Sequence, residues 1–279
     1  MIKNIKILTP IFVIFFSITT ASSQSWSKHG KVTHEVGFYL GSAHFATDYG
    51  DREDFQSNVG GNIGIAVGAL YYITFADYRY RWNQRTNYFR DHFRIRNELS
   101  YYSAKLEHYG QYVAASETSD GADKLRAMSG ETYTISLGSQ LEFHFVDITE
   151  FGSRRNPHLK FSPYLSFGIH AEYYNPTLTT TYGDGDWENN PNLLYDKWAV
   201  PGAVDTSSGI TASLSGGFGS RYKVSEFGDM FLGVNWKYYF TDWVEGLNAT
   251  ELTFFNPTKS NYFNDWSMSI QIGYIVYLN

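Results

Sequence analysis

The chain has 279 residues, of which 18% are aromatic and 18% charged, with 25 Gly, no Cys and a formal net charge of −6. Without Cys there is no disulfide scaffold, thiolate metal site or cysteine nucleophile. A net negative charge with no basic tract argues against a nucleic-acid partner, because phosphate binding needs clustered Lys and Arg.

Residues 1–23 read as an export signal. Lys3 and Lys6 precede a mostly apolar run over 7–19, and Ala21 and Ser23 suit cleavage before Gln24. That run is shorter than the roughly 20 residues a spanning helix needs. The reading leaves 24–279 as one exported domain, in which no stretch is long and apolar enough for a transmembrane helix.

Strict alternation with period 2, the strand signature, then recurs along the chain. The segments cover about 32–42, 61–72, 92–105, 131–147, 159–173, 208–223, 229–241 and 265–279. In the first, Val36, Phe38 and Leu40 oppose Glu35, Gly37, Tyr39 and Gly41. In the second, Ile63, Ile65 and Val67 oppose Gly64, Ala66 and Gly68. The third sets Phe93, Ile95, Leu99 and Tyr101 against Arg94, Arg96, Glu98 and Ser100, with Asn97 spoiling the apolar face. The fourth sets Leu137, Leu141 and Phe143 against Gly138, Gln140 and Glu142, and the fifth sets Leu165, Phe167 and Ile169 against Ser166, Gly168 and His170. In the sixth, Arg221 stands on a face with Thr211, Ser213, Ser215, Gly217 and Gly219, and in the seventh Lys237 stands with Gly233, Asn235 and Tyr239. The eighth keeps its apolar face to Leu278.

A soluble sandwich would put charge and Thr on its polar face. Here that face carries Gly, Ala and Ser with a few charges of both signs, which suits the inside of a narrow closed barrel. The reading is all-β: an eight-stranded antiparallel transmembrane β-barrel with long extracellular loops. Phe38, Tyr101, Tyr133, Trp236, Trp266 and Tyr274 on the apolar face are candidates for interfacial girdles. The links 43–60, 106–130, 174–207 and 242–264 are long and polar, as outer loops should be; of the opposite links, 148–158 and 224–228 are short and 73–91 is not.

Particular segments carry a family resemblance. HEVGFYLGSAHFATDYGDRED (34–54), HFRIRNELSYYSAKLEHYG (92–110), QLEFHFVDITEF (140–151), KFSPYLSFGIHAEYYNP (160–176) and KYYFTDWVEGLN (237–248), with NDW (264–266) and GYIVYLN (273–279), resemble small outer-membrane barrels of Bacteroidetes. The nearest group is the PorG-like one of the type IX secretion and gliding machinery. Trp243–Asn248 and the 174–207 loop depart from its pattern. The resemblance implies a non-enzymatic barrel in the outer membrane. It would anchor or scaffold a periplasmic part of that machinery, with outer-membrane lipid around it and a periplasmic protein or lipoprotein as partner.

Among candidate sites, Glu35, Arg96, Glu98, Glu142, Arg221 and Lys237 share the small-residue face, and are expected to pair in the lumen because unpaired buried charge is costly. An ion path is the sharper reading; a salt-bridged plug is the plainer one, since an eight-stranded interior only just accommodates side chains. The acidic stretches Asp48–Asp54 and Asp184–Glu188 are candidates for Ca²⁺, although the full calcium-loop spacing is absent. His34, His92, His108, His144, His158 and His170 are scattered; a rim hydrolase would need His108 beside Asp48 or Asp242. No cofactor motif or catalytic spacing appears. The stretch 73–91 holds Arg79, Tyr80, Arg81, Trp82 and Arg85 among further aromatics, a combination suited to docking a periplasmic partner or to meeting lipid headgroups.

Overall fold

A computed structural model describes residues 32–50, 54–75, 87–153, 157–248 and 264–278. The alternating segments form β1 (Thr33–Ala46), β2 (Ile63–Thr74), β3 (Phe93–Glu107), β4 (Met128–His144), β5 (Phe161–Thr180), β6 (Gly209–Lys223), β7 (Gly228–Tyr239) and β8 (Trp266–Leu278). Each pairs antiparallel with its neighbours in chain order, and β1 closes on β8, so the sheet is a barrel with no free edge. Closure gives each strand a hydrogen-bonded neighbour on both sides through the belt, which a bilayer demands. No described helix is long and apolar enough to cross a membrane.

The two faces divide as their chemistry requires. Phe38 and Leu40 are 70% and 65% exposed, whereas their neighbours Glu35 and Tyr39 are 2% exposed. Ile65, Leu99, Leu141, Phe167, Phe218 and Ile272 continue the outward apolar belt on the other strands. Asn97 faces outward within this belt, and its polarity is absorbed locally: it donates to the Tyr71 carbonyl at 3.2 Å and accepts from Ser139 Oγ at 2.7 Å. A closed barrel with an apolar outer belt and a polar axis is an outer-membrane-type transmembrane barrel.

Glycines on the inner face are what let large side chains lie across the axis. A Cβ at Gly68 would sit 2.3 Å from the Tyr39 ring, and one at Gly273 would sit 2.4 Å from Phe231. Outside, Tyr101, Tyr133 and Tyr173 form a ladder with ring spacings of 5.8 and 6.2 Å on the upper part of the belt. A second aromatic group, Phe89, Phe93, Phe143 and Phe145, has spacings of 4.8, 5.2 and 5.1 Å near the other end. Phe38 sits mid-strand opposite Ala69 and Tyr274, so it belongs to the belt and not to a girdle.

The long links and both chain ends sort to opposite mouths. The connections β1–β2, β3–β4, β5–β6 and β7–β8 share the outer mouth, while His34 opposes Leu278 at the inner one. The outer links contain α1 (Phe55–Asn58) and, further on, an eight-residue helix; between them in the chain, the inner β2–β3 link carries α2 (Tyr88–His92), so that helix is α3 (Asp120–Ala127). β5 runs to Thr180, several residues beyond the strand end expected from sequence, so it projects past the belt and takes its first outer-loop residues into the sheet.

Leu40 lies midway along β1 between Val67 and Ile272. Leu40→Arg is expected to cost about 2–4 kcal/mol of folding stability in lipid, the depth-dependent penalty for a cation on the lipid face. Refolding titrations into vesicles measure it, and the same samples unboiled should migrate faster on a gel than boiled ones.

Candidate functional site

The inner face gathers the sequence-predicted charges into one alternating chain. Arg94 on β3 reaches Glu35 on β1 at 2.8 Å. Glu35 also meets Arg221 on β6 at 2.6 Å, and Arg221 meets Glu142 on β4 at 3.4 Å. Glu142 lies 3.7 Å from Arg96, which pairs with Glu98 at 2.7 Å. Positive and negative groups therefore alternate from Arg94 to Glu98 across the axis. These side chains are all buried. Arg221 also stacks over the Tyr72 ring at 4.2 Å.

Lys237 stands apart from this chain. It pairs with Glu172 at 3.3 Å and donates to Ser136 at 2.6 Å and Ser100 at 3.3 Å. At the inner mouth Asp229 lies 3.9 Å from Arg221 and 3.7 Å from Lys223. The carboxylates Glu35, Glu98, Glu142, Glu172 and Asp229 thus match the cations Arg94, Arg96, Arg221, Lys223 and Lys237 one for one. Arg94, Glu172, Lys223 and Asp229 were not among the lumen charges read from sequence; Arg94, Lys223 and Asp229 share the parity of Arg96, Arg221 and Lys237 on their own strands, and Glu172 that of His170.

A hydrogen-bonded set runs along one wall of the middle lumen. Tyr39 donates to Glu98 at 2.7 Å, Arg96 donates to Gln271 at 2.9 Å, and Gln271 donates to Ser269 at 3.0 Å and Tyr102 at 3.2 Å.

The outer mouth is closed by a different chemistry. Phe45, Leu106, Met128 and Leu178 at the strand ends pack with Tyr49, Leu194, Trp198, Ala203, Val244 and Leu247 from the outer links. An isolated bridge joins Val204 to Leu247, and Asn248 donates its amide to Ala203 at 2.9 Å. Asn58 donates to the carbonyls of Thr47 and Tyr49 at 2.8 and 2.9 Å, tying α1 to the first link. Gly50 holds φ 86°, and a Cβ there would meet the Ser57 carbonyl at 2.5 Å, so only glycine fits that crossing. The described parts of the long loops therefore form a packed cap.

Asp242, Glu245 and Asp265 are buried in this cap, with one carboxylate oxygen from each within 4.8 Å of the others. Glu245 accepts the Asp48 amide at 2.9 Å and Asp265 accepts the Val244 amide at 3.1 Å, so two of the three already hold loop backbone. Of the calcium candidates, Asp48 reaches this group through its amide, and Asp51 and Glu53 lie outside the described residues. Asp184 accepts the Asp186 amide at 3.2 Å in a local turn, and Asp186 accepts from Asn189 at 2.8 Å.

His108 does not form the rim dyad a hydrolase would use. Its Nδ1 accepts the Gly50 amide at 3.2 Å and its ring lies 4.8 Å from that of Tyr49. Enclosure in the cap, with Lys197 adding to it, lowers the His108 pKa to about 3. His144 meets Glu142 at 3.3 Å and Ser162 at 3.0 Å, but inside the barrel. Arg79, Tyr80, Arg81, Trp82 and Arg85, and the export signal, lie outside the described residues.

No protein-family profile matches the chain, and no curated protein matches it. Solved structures do. Neisserial surface protein A is 12% identical, covering 87% of this chain and 96% of that one, with a TM-score of 0.40. Ail, the attachment invasion locus protein of Yersinia pestis, is 10% identical over 88% and 98%, with a TM-score of 0.40. A major outer membrane protein from Thermus thermophilus is 10% identical over 88% and 99%, at 0.43. The assignment of this chain as an outer-membrane β-barrel rests on its own closed pairing, apolar belt and polar axis.

Two outcomes follow from this geometry. Glu35→Gln leaves Arg94 without its carboxylate and is expected to cost about 3–5 kcal/mol in denaturant unfolding, the penalty for stranding a buried charge. Glu35→Gln with Arg94→Met should cost less than the sum of the single changes. In the cap, the unfolded chain takes up a proton at His108 below about pH 6.5 that the folded chain refuses until about pH 3. Above that window His108 contributes nothing to the pH dependence; within it, stability falls as pH falls. His108→Gln should flatten that part of the unfolding-versus-pH curve.

Proposed function

We propose that the protein is a non-conducting, non-enzymatic anchor in the outer membrane, scaffolding a periplasmic part of the type IX secretion or gliding machinery. The observation that carries the first half is the blocked axis: the alternating chain from Arg94 to Glu98 crosses the lumen, and the apolar cap lies above it. A barrel closed twice over is left with anchoring, scaffolding or recognition. The resemblance of the strand segments to the PorG-like group supplies the second half, together with the basic-aromatic stretch Arg79–Arg85 as the docking segment for a periplasmic or lipoprotein partner.

A surface-recognition role is the second reading, favoured by the cap's ordered construction. Lys124 on α3 pairs with Asp120 at 3.3 Å and with Asp196 at 3.6 Å, tying the β3–β4 link to the β5–β6 link. Tyr182 donates to Asp120 across the same junction. Such a platform could present fixed side chains to a partner outside the cell.

In planar bilayers the purified protein is expected to give no steady conductance. Chemical cross-linking in native outer membranes, followed by detergent extraction, should recover a periplasmic protein or lipoprotein. Arg79→Ala combined with Arg81→Ala and Arg85→Ala should lose it while the barrel still inserts. Recovery of no such partner, or recovery unaffected by the triple change, contradicts the scaffold reading.

A further inference from the structure

One position read from sequence as a flaw in the apolar face lies in the middle of the belt. Asn97 stands on the outward side of β3, midway between Phe93 and Tyr101. Its cross-strand neighbour on β4 is Ser139, which is exposed on the same side. The opposite side of the barrel has no counterpart. Along β7 the outward positions are Met230, Leu232, Val234, Trp236 and Tyr238, and β8 keeps an apolar or aromatic outward face from Trp266 to Leu278.

Lipid tails offer no hydrogen bonds, so polar groups at this depth depend on protein for them. Local bonds take up part of the pair. Ser139 gives its hydroxyl hydrogen to Asn97 Oδ1 at 2.7 Å, and Asn97 Nδ2 gives one hydrogen to the Tyr71 carbonyl at 3.2 Å. A primary amide has two hydrogens, and a hydroxyl oxygen has two lone pairs. Among the described residues, one amide hydrogen on β3 and the acceptor capacity of the Ser139 oxygen on β4 are left over. They stand side by side across one register pair.

Charge complementarity selects the occupant. The spare amide hydrogen is partially positive and the hydroxyl oxygen partially negative. A donor and an acceptor on adjacent strands complement themselves about a twofold axis that passes between them, because the donor of each copy then meets the acceptor of the other. Two copies inserted with the same orientation can share such an axis along the membrane normal. Leu99 and Leu137, the next outward pair toward the outer mouth, are 40% and 37% exposed and supply apolar contact beside it. We propose that the β3–β4 face is the contact of a homodimer within the membrane, in which Asn97 of each copy donates to Ser139 of the other. A hydrocarbon chain lying on this face would satisfy neither group.

Because the chain has no Cys, single cysteines report the contact without background. The full chain carrying Leu137→Cys, refolded into vesicles and oxidised with copper phenanthroline, is expected to give a disulfide-linked product of twice the chain's mass. Leu232→Cys, on the opposite side of the barrel, should give little. Repeating the reaction over a series of lipid-to-protein ratios yields a dissociation constant. Adding Asn97→Leu and Ser139→Ala to Leu137→Cys should raise that constant about tenfold, the loss expected for two hydrogen bonds in a bilayer. Ser139→Ala alone removes only an exposed hydroxyl and should shift it in the same direction; the unboiled gel shift shows that each variant has folded. Three results would overturn the proposal: no Leu137→Cys product at any ratio, which leaves the face to lipid or to another protein; equal product from Leu137→Cys and Leu232→Cys; or a dissociation constant indifferent to the loss of both polar groups.

Discussion

Arg221 sits fully enclosed at the axis of a membrane-spanning sheet, and the rest of the barrel is arranged to tolerate it. A guanidinium cannot be stripped of water at that depth unless carboxylates and ring faces surround it. Glu35, Glu142 and Asp229 supply the charge and Tyr72 supplies the face. Each of those carboxylates then needs a second cation, so the pairing spreads from strand to strand until it spans the axis. The same ions fix register. A slip of one residue turns every side chain of a strand to the other face, and would send Glu35 or Arg96 into hydrocarbon while drawing Phe38 or Ile95 inward. Charge in the axis is therefore less a source of net stability than a penalty against every wrong pairing of eight strands.

The cap solves the complementary problem at the outer mouth. Above the belt the surroundings are aqueous, so an apolar cluster becomes favourable again, and the long links fold inward to make one. Phe45, Leu106, Met128 and Leu178 continue the strands out of the polar axis and change its chemistry from ionic to greasy within a turn of sheet. Two sealed levels of opposite character make free passage along the axis the hardest function to reconcile with this fold. They suit a barrel that holds something at the membrane or shows something outside it.

Much of this was readable in the chain. Alternation of Val36, Phe38 and Leu40 against Glu35, Gly37 and Tyr39 names both a strand and its two environments, because the side-chain period of a strand is two. The opposite charges of Arg96 and Glu98 on one face already call for partners within a narrow barrel. Arg94 has the same parity and was legible by the same rule. Glu172 was less so, because the adjacent aromatics Tyr173 and Tyr174 blur the alternation near the end expected for β5, which hides that the strand continues. The cap was not legible at all. Asp48 meets Glu245, and Val204 pairs with Leu247, through contacts between distant links that follow no period.

Along β1 the odd residues face the charged axis and the even residues face lipid, with Glu35 and Tyr39 buried and Phe38 and Leu40 exposed. Because the chain has no Cys, single spin labels can be placed one at a time at positions 35 to 40 in protein reconstituted into vesicles. Collision with oxygen, which concentrates in hydrocarbon, should be high at 36, 38 and 40 and low at 35, 37 and 39, with a water-soluble nickel relaxant excluded from all six. Oxygen accessibility that fails to alternate, or that peaks at 35, 37 and 39, would contradict the account.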